Sequence, residues 1–196
     1  LDVLKEQISL YVEGSDIKGA YTPGNNTIPT KVWHNQVRPI ISAKLNNFLF
    51  EQDSGWLNVN SHKYDYRLMF SGQQNLSLDN LIQDEDNYTR MTIDVWLRPY
   101  STNTSMLLDF IYLYNDYGKV GVKTSNIEII SSIQLPTYEL SHLCISIDSS
   151  TRQYKFYLNG ELADSVENID TDYFKLPSIL TLFDNFEGDV SSFKIY

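Results

Sequence analysis

Apolar and polar residues alternate with period two along most of the chain. Ile8, Leu10 and Val12 alternate with Ser9 and Tyr11; Tyr66, Leu68 and Phe70 alternate with Arg67 and Met69. Met91, Ile93, Val95 and Leu97 alternate with Thr92, Asp94, Trp96 and Arg98. Leu143, Ile145 and Ile147 alternate with His142, Cys144, Ser146 and Asp148, and Tyr154, Phe156 and Leu158 with Lys155, Tyr157 and Asn159. Successive strand side chains point to opposite faces, so each run predicts a strand with one buried face. Its β-branched and aromatic content agrees.

Turn signals separate the runs: Pro23-Gly24-Asn25-Asn26, Asp53-Ser54-Gly55, Ser71-Gly72, Asn115-Asp116-Tyr117-Gly118, Asn159-Gly160 and Glu187-Gly188-Asp189. Gly and Asn tolerate positive φ, which tight reversals need. Asn159-Gly160, set between Tyr154–Leu158 and Glu161–Val166, predicts a type I′ hairpin. Only Leu1–Gln7 and Leu78–Asp86 leave room for a helical turn. Gly19–Lys44, with three prolines, reads as loop. Many short strands with almost no helical rhythm predict an all-β sandwich or barrel.

The length, 196 residues, suits one large domain. With 14 Tyr, 9 Phe and 3 Trp the chain has the aromatics for a packed core, which excludes disorder as its main state. A net charge of −10 with scattered Lys and Arg argues against a general nucleic-acid binder. No apolar run is long enough to insert in a membrane as a helix. Cys144 is the single cysteine, so an intrachain disulfide is excluded. The chain begins at Leu1, and its first residues lack the basic start and apolar core of a signal peptide, so it reads as a piece of something longer. The sequons at Asn25, Asn75, Asn87 and Asn103 would matter only in a eukaryotic secretory setting.

Catalytic patterns are missing. There is no phosphate-binding glycine loop, His-Glu-x-x-His or Gly-x-Ser-x-Gly, and His34, His62 and His142 stand in unrelated contexts. Retaining glycosidases need two carboxyls roughly 5–5.5 Å apart, which residues i and i+2 of one strand provide. Glu51-Gln52-Asp53 and Glu187-Gly188-Asp189 offer such pairs, but both fall at turns and lack the further Glu of Glu-x-Asp-x-x-Glu. A non-catalytic protein is expected.

Two binding chemistries are open. Thr92, Asp94, Trp96 and Arg98 share the polar side of one strand, where a ring between an acid and an arginine forms a sugar platform. The alternative is a Trp96 covered by its own chain. Tyr112, Tyr114 and Tyr117 make a second aromatic group, equally readable as packing at a rim. Asp184, Asn185, Glu187 and Asp189 crowd hard oxygen donors into one loop, as calcium prefers, though without EF-hand spacing; a solvated acidic turn is the alternative.

From Tyr66 onward the motifs fall in an order that resembles the laminin-G-like, concanavalin A-like jelly-roll domains. They are Leu68-Met69-Phe70-Ser71-Gly72, Met91-Thr92-Ile93-Asp94-Val95-Trp96-Leu97-Arg98-Pro99, Phe156-Tyr157-Leu158-Asn159-Gly160-Glu161 and the closing Phe186–Tyr196. Trp33-His34-Asn35, Ala43–Phe48 and Ser54-Gly55-Trp56 are similar to a leader seen before such domains in phage tail-associated and gut-bacterial surface proteins. The resemblance implies one antiparallel two-sheet sandwich over residues 1–196, with 1–60 as first strand plus wrapping loop. It implies a non-catalytic glycan-binding module at a cell or virion surface. The alternatives are an assembly domain that contacts sister subunits, and a glycosidase with an atypical acid pair. Ser191 and Ser192 stand where the family usually carries acids that help hold a structural calcium.

Overall fold

The computed structural model describes residues 10–13, 32–33, 35–37, 41–50, 54–60, 65–79, 90–115, 117–124, 127–148, 150–167 and 177–196. The strands, in chain order, are β1 (Leu10–Glu13), β2 (Val32–Trp33), β3 (Ala43–Asn46), β4 (Gly55–Asn60), β5 (Asp65–Ser71), β6 (Asn75–Asp79), β7 (Arg90–Pro99) and β8 (Ser105–Leu108). There follow β9 (Ile111–Tyr114), β10 (Lys119–Lys123), β11 (Glu128–Gln134), β12 (Ser141–Asp148), β13 (Gln153–Leu158), β14 (Glu161–Glu167), β15 (Ile179–Asp184) and β16 (Glu187–Ile195). They form two antiparallel sheets, so the all-β sandwich is the observed fold. The front sheet runs β14-β13-β12-β7-β16-β5-β4, and the back sheet β11-β10-β9-β8-β15-β6-β3-β2.

β16 organises the front sheet. One edge pairs with β7 throughout, while the other pairs with β5 through Val190 and then with β1 from Ser192 to Ile195. The first sixty residues thus supply more than a first strand and a wrapping loop: β2 and β3 extend the back sheet, and β4 edges the front one. Of the two stretches that left room for a helical turn, Leu78 and Asp79 lie in β6; residues 1–7 and 80–86 are outside the described residues.

The alternation decides the burial. Met91, Ile93, Val95 and Leu97 are buried, as are Leu143, Ile145 and Ile147 facing them across the strand pair. Between the sheets a phenylalanine cluster runs from Phe48 through Phe70 (5.1 Å between rings) to Phe183 (5.3 Å) and on to Phe193 (5.5 Å). Each buried Phe contributes on the order of 1.5–3 kcal/mol. Phe183 reaches this cluster through a left-handed backbone, φ 57, which turns its side chain inward directly after the inward Leu182.

The hairpin forms as its sequence predicts, with Asn159 at φ 52 and Gly160 at φ 86 between β13 and β14. Its register then slips. Leu158 and Tyr157 face Glu161 and Leu162, but Phe156 faces Asp164 and not Ala163. The extra residue is a β-bulge. It rotates Asp164 onto the inward side of an edge strand.

Candidate functional site

Inward Asp164 meets the edge of the other sheet. Its Oδ2 accepts the backbone N–H of Ser132 on β11 at 2.6 Å, so the last strands of the two sheets are joined. That bond holds the Asp164 carboxyl below the usual carboxylate range, with further help from the Ser165 N–H. An inward charge on an edge strand also blocks pairing with a foreign strand.

A groove opens beside this junction on the back sheet. β9 sends Tyr112 and Tyr114 outward, β10 sends Lys119 outward, and β11 sends Glu128, Ile130 and Ser132 outward. Gly121 is the bare spot beneath the tyrosine: a Cβ there would stand 2.6 Å from Tyr114 Cε2. The Tyr114 hydroxyl donates to Glu128 Oε1 at 3.1 Å, and Lys123 donates to the same oxygen, so the ring is fixed. Burial, then the Glu128 carboxylate, pushes the Tyr114 phenol up to about 12. Thr104, Asn115, Lys119, Ile130, Ser132 and Asp164 complete a groove of about 750 Å³ with Tyr114 as its aromatic wall. Ile130 is a large apolar side chain left 50% exposed.

Of the tyrosines expected to bind ligand, Tyr114 lines this groove. Tyr112 lies beside it (6.2 Å between rings) and donates its hydroxyl to the Asp109 carbonyl at 3.3 Å. Tyr117 stands exposed at the β9–β10 turn.

Asp94, Trp96 and Arg98 do share one face, the outer face of the front sheet, on the opposite side of the sandwich from the tyrosines. Trp96 is 39% exposed, so it is not covered. His142 stacks on it, with centroids 4.9 Å apart and planes 17° apart, and shares a 2.8 Å hydrogen bond between its Nε2 and Asp94 Oδ2. Cys144 lies on the same face, its thiol pushed up to about 11 by burial and by the Asp94 charge, which makes it a poor nucleophile.

Arg98 departs from the expected role. Its Nε donates to Asp189 Oδ2 at 2.7 Å, and Tyr100 donates its hydroxyl to the same oxygen at 2.6 Å. Arg67 approaches Asp189 Oδ1 at 3.4 Å. The Asp189 side chain is 0% exposed. A carboxylate so deep must be paired, and the arginines do this.

The metal set is therefore not brought together. Asp189 faces the front sheet's outer side and is engaged by arginines. Asp184 ends β15 on the back sheet, where its Oδ1 accepts a hydrogen bond from Asn75 at 3.3 Å. Asn185, at φ 54, turns the chain between them and bonds the Thr104 carbonyl, and Glu187 opens β16 opposite Ser71. Among the described residues no three His, Cys, Asp or Glu side chains gather as metal ligands would.

No family model and no curated protein matches this sequence. Solved structures match its fold. Domain 4 of AbnA, a GH43 extracellular arabinanase from Geobacillus stearothermophilus in complex with arabinotriose, is similar with a TM-score of 0.63 at 14% identity, over 97% of this chain and 92% of that one. The binding domain of botulinum neurotoxin DC in complex with rat synaptotagmin II gives 0.63 at 13% identity over 98% of this chain. A botulinum neurotoxin type C structure, described as dependent for cell entry on two ganglioside molecules, gives 0.63 at 14% over all of it. The chain spans about half the length of these two neurotoxin chains, 48% and 49%. At such identities the likeness is one of fold.

Proposed function

We propose that the chain is a non-catalytic carbohydrate-binding module whose ligand lies in the back-sheet groove. The observation that carries this reading is the groove's lining. A fixed aromatic ring and an exposed isoleucine stand among hydroxyl, amide and charged groups on one trough. Sugars present the matching surface, with C–H patches for Tyr114 and Ile130 and hydroxyls for Thr104, Asn115, Lys119 and Asp164. A sandwich neighbour whose structure is in complex with arabinotriose and another described with gangliosides support the ligand class. An extracellular or virion-surface setting accords with such a ligand.

The test is a broad array of neutral oligosaccharides and polysaccharides, probed with wild type, Tyr114→Ala and Trp96→Ala. Binding to at least one class, weakened about tenfold by Tyr114→Ala and unchanged by Trp96→Ala, is expected for the loss of one aromatic stacking wall. Silence across the whole array discards the function. Release of reducing ends from a bound polysaccharide would make the protein an enzyme.

A further inference from the structure

The lining of the groove has a direction. β8, β9, β10 and β11 are consecutive neighbours in the back sheet. Thr104 immediately precedes β8, Tyr114 lies on β9, Lys119 on β10 and Ile130 on β11. The groove therefore crosses the strands over three spacings, roughly 14 Å in all, before it reaches Asp164 on β14. Tyr114 follows the same line. It springs from β9, a Cβ on Gly121 of β10 would meet its Cε2, and its hydroxyl bonds Glu128 on β11. The long axis of the ring thus points across the strands, with the bare backbone of Gly121 on one side and the groove on the other.

The two ends are built before any ligand arrives. At the first, Thr104 Oγ1 accepts the Asn115 N–H at 3.1 Å, and the Thr104 carbonyl accepts the Asn185 side-chain amide at 2.7 Å. At the second, β11 carries Ser131, Ser132 and Ile133 opposite Val120 alone, an irregularity that bends the strand. Ser131 Oγ donates to the Val120 carbonyl at 2.7 Å, and Asp164 holds the Ser132 N–H, so the bend is fixed. Such preorganisation lowers the cost of ordering on binding. Each end finishes on exposed residues, Thr104 and Asn115 at one and Ile130 and Ser132 at the other, so a chain can run on past both. The volume of about 750 Å³ falls within the roughly 300–1,000 Å³ of sites for drug-sized ligands, more than one monosaccharide fills.

One strand spacing, roughly 4.8 Å, is close to the advance of one sugar along a polysaccharide. Three spacings match three consecutive residues. We infer that the groove binds an internal stretch of a polysaccharide, at least three residues long and laid across the strands, and does not read a chain end. This rests on the carbohydrate reading of the groove and names the form of its ligand. The middle sugar stacks on Tyr114 beside Lys119. The outer two meet Thr104 and Asn115 at one end, Ile130 and Ser132 at the other.

Titration calorimetry with arabino-, xylo-, malto- and cello-oligosaccharides of increasing length, from the monosaccharide to the hexasaccharide, tests this. In at least one series affinity should rise about tenfold or more between the first member and the third, and then level off. Borohydride reduction, which opens the terminal ring, should leave hexasaccharide affinity unchanged. Asn115→Ala and Ile130→Ala alter exposed side chains at opposite ends. Each should weaken the hexasaccharide roughly three- to tenfold, the loss of one hydrogen bond or one apolar contact. A disaccharide reaches one end only and should lose affinity in one variant at most. Monosaccharide binding as tight as hexasaccharide binding overturns the inference and leaves the carbohydrate function standing. Loss of affinity on reduction, or a hexasaccharide indifferent to either variant, does the same. Silence of all four series overturns the inference, and silence of the polysaccharides on the array as well removes the function with it.

Discussion

Asp164 Oδ2 accepts the Ser132 N–H at 2.6 Å, and through that bond the edge strand of one sheet is tied to the edge strand of the other. Asp164→Ala should destabilise the protein by about 1 kcal/mol, the net value of one hydrogen bond. Asp164→Asn, which keeps an acceptor oxygen, should recover most of it in urea unfolding. The pH dependence has a definite sign. The folded carboxyl is held below its unfolded value, so its contribution is present above about pH 4 and is lost as pH falls through the lowered folded value. The stability gap between wild type and Asp164→Asn should therefore close in acid.

Removing Arg98 should cost far more than removing a surface arginine. Arg98→Ala leaves the wholly buried Asp189 carboxylate with the Tyr100 hydroxyl and, as its one remaining cation, the more distant Arg67, at a cost of about 3 kcal/mol or more. Urea midpoints should show Arg98→Ala markedly less stable than Arg90→Ala, whose partner Asp148 lies in an exposed pair.

Tyr100 and Tyr114 should ionise late. Burial, then the Asp189 carboxylate, pushes Tyr100 up to about 12, and burial with Glu128 does the same for Tyr114. A raised folded value means that their contribution holds below about pH 10 and is lost as pH rises through about 12. Ultraviolet titration at about pH 11, where an ordinary phenol is largely ionised, should show Tyr100→Phe and Tyr114→Phe each removing almost no tyrosinate signal from wild type. Titration of both near 10 would contradict the buried hydroxyl geometry.

Phe183 tests the strained backbone. Phe183→Ala should lose about 3–5 kcal/mol through the cavity left among Phe70, Phe186 and Phe193. Glycine in a strand is ordinarily worse than alanine by roughly 0.5–1 kcal/mol. At φ 57 that order should reverse, so Phe183→Gly should match or exceed Phe183→Ala in stability.

Gly121 tests the groove's aromatic wall. A methyl group there would meet Tyr114 Cε2 at 2.6 Å and the Ile129 carbonyl at 2.5 Å. Gly121→Ala should therefore both destabilise the β10–β11 pair and weaken neutral-glycan binding, whereas Gly160→Ala, with open space around its Cβ, should affect stability alone.

The sandwich was legible because period-two alternation states which side chain of each strand is buried, and β7 and β12 follow it residue by residue. Trp96 was legible for the same reason. His142 was not, since its stacking on Trp96 depends on the β7–β12 register between segments far apart in sequence. Asp164 shows the limit most clearly. Continued without interruption, the Asn159-Gly160 turn would set Asp164 outward opposite Lys155, an ordinary surface ion pair. One bulged residue turns it inward and makes it the junction of the sheets. The loop acids failed as a metal set for a related reason: the reversal at Asn185 sends Asp184 and Asp189 to different sheets.

The placement of β1 has a mechanical consequence. Leu10 opens β1 opposite Ile195 at the close of β16, so tension applied between those two residues acts on the last rung of an antiparallel ladder. The load then falls on one hydrogen-bonded pair at a time, and β1 peels away like a zipper at low force. β16 stays gripped by β7 and β5, so the sandwich with its groove remains assembled while the chain lengthens under pull.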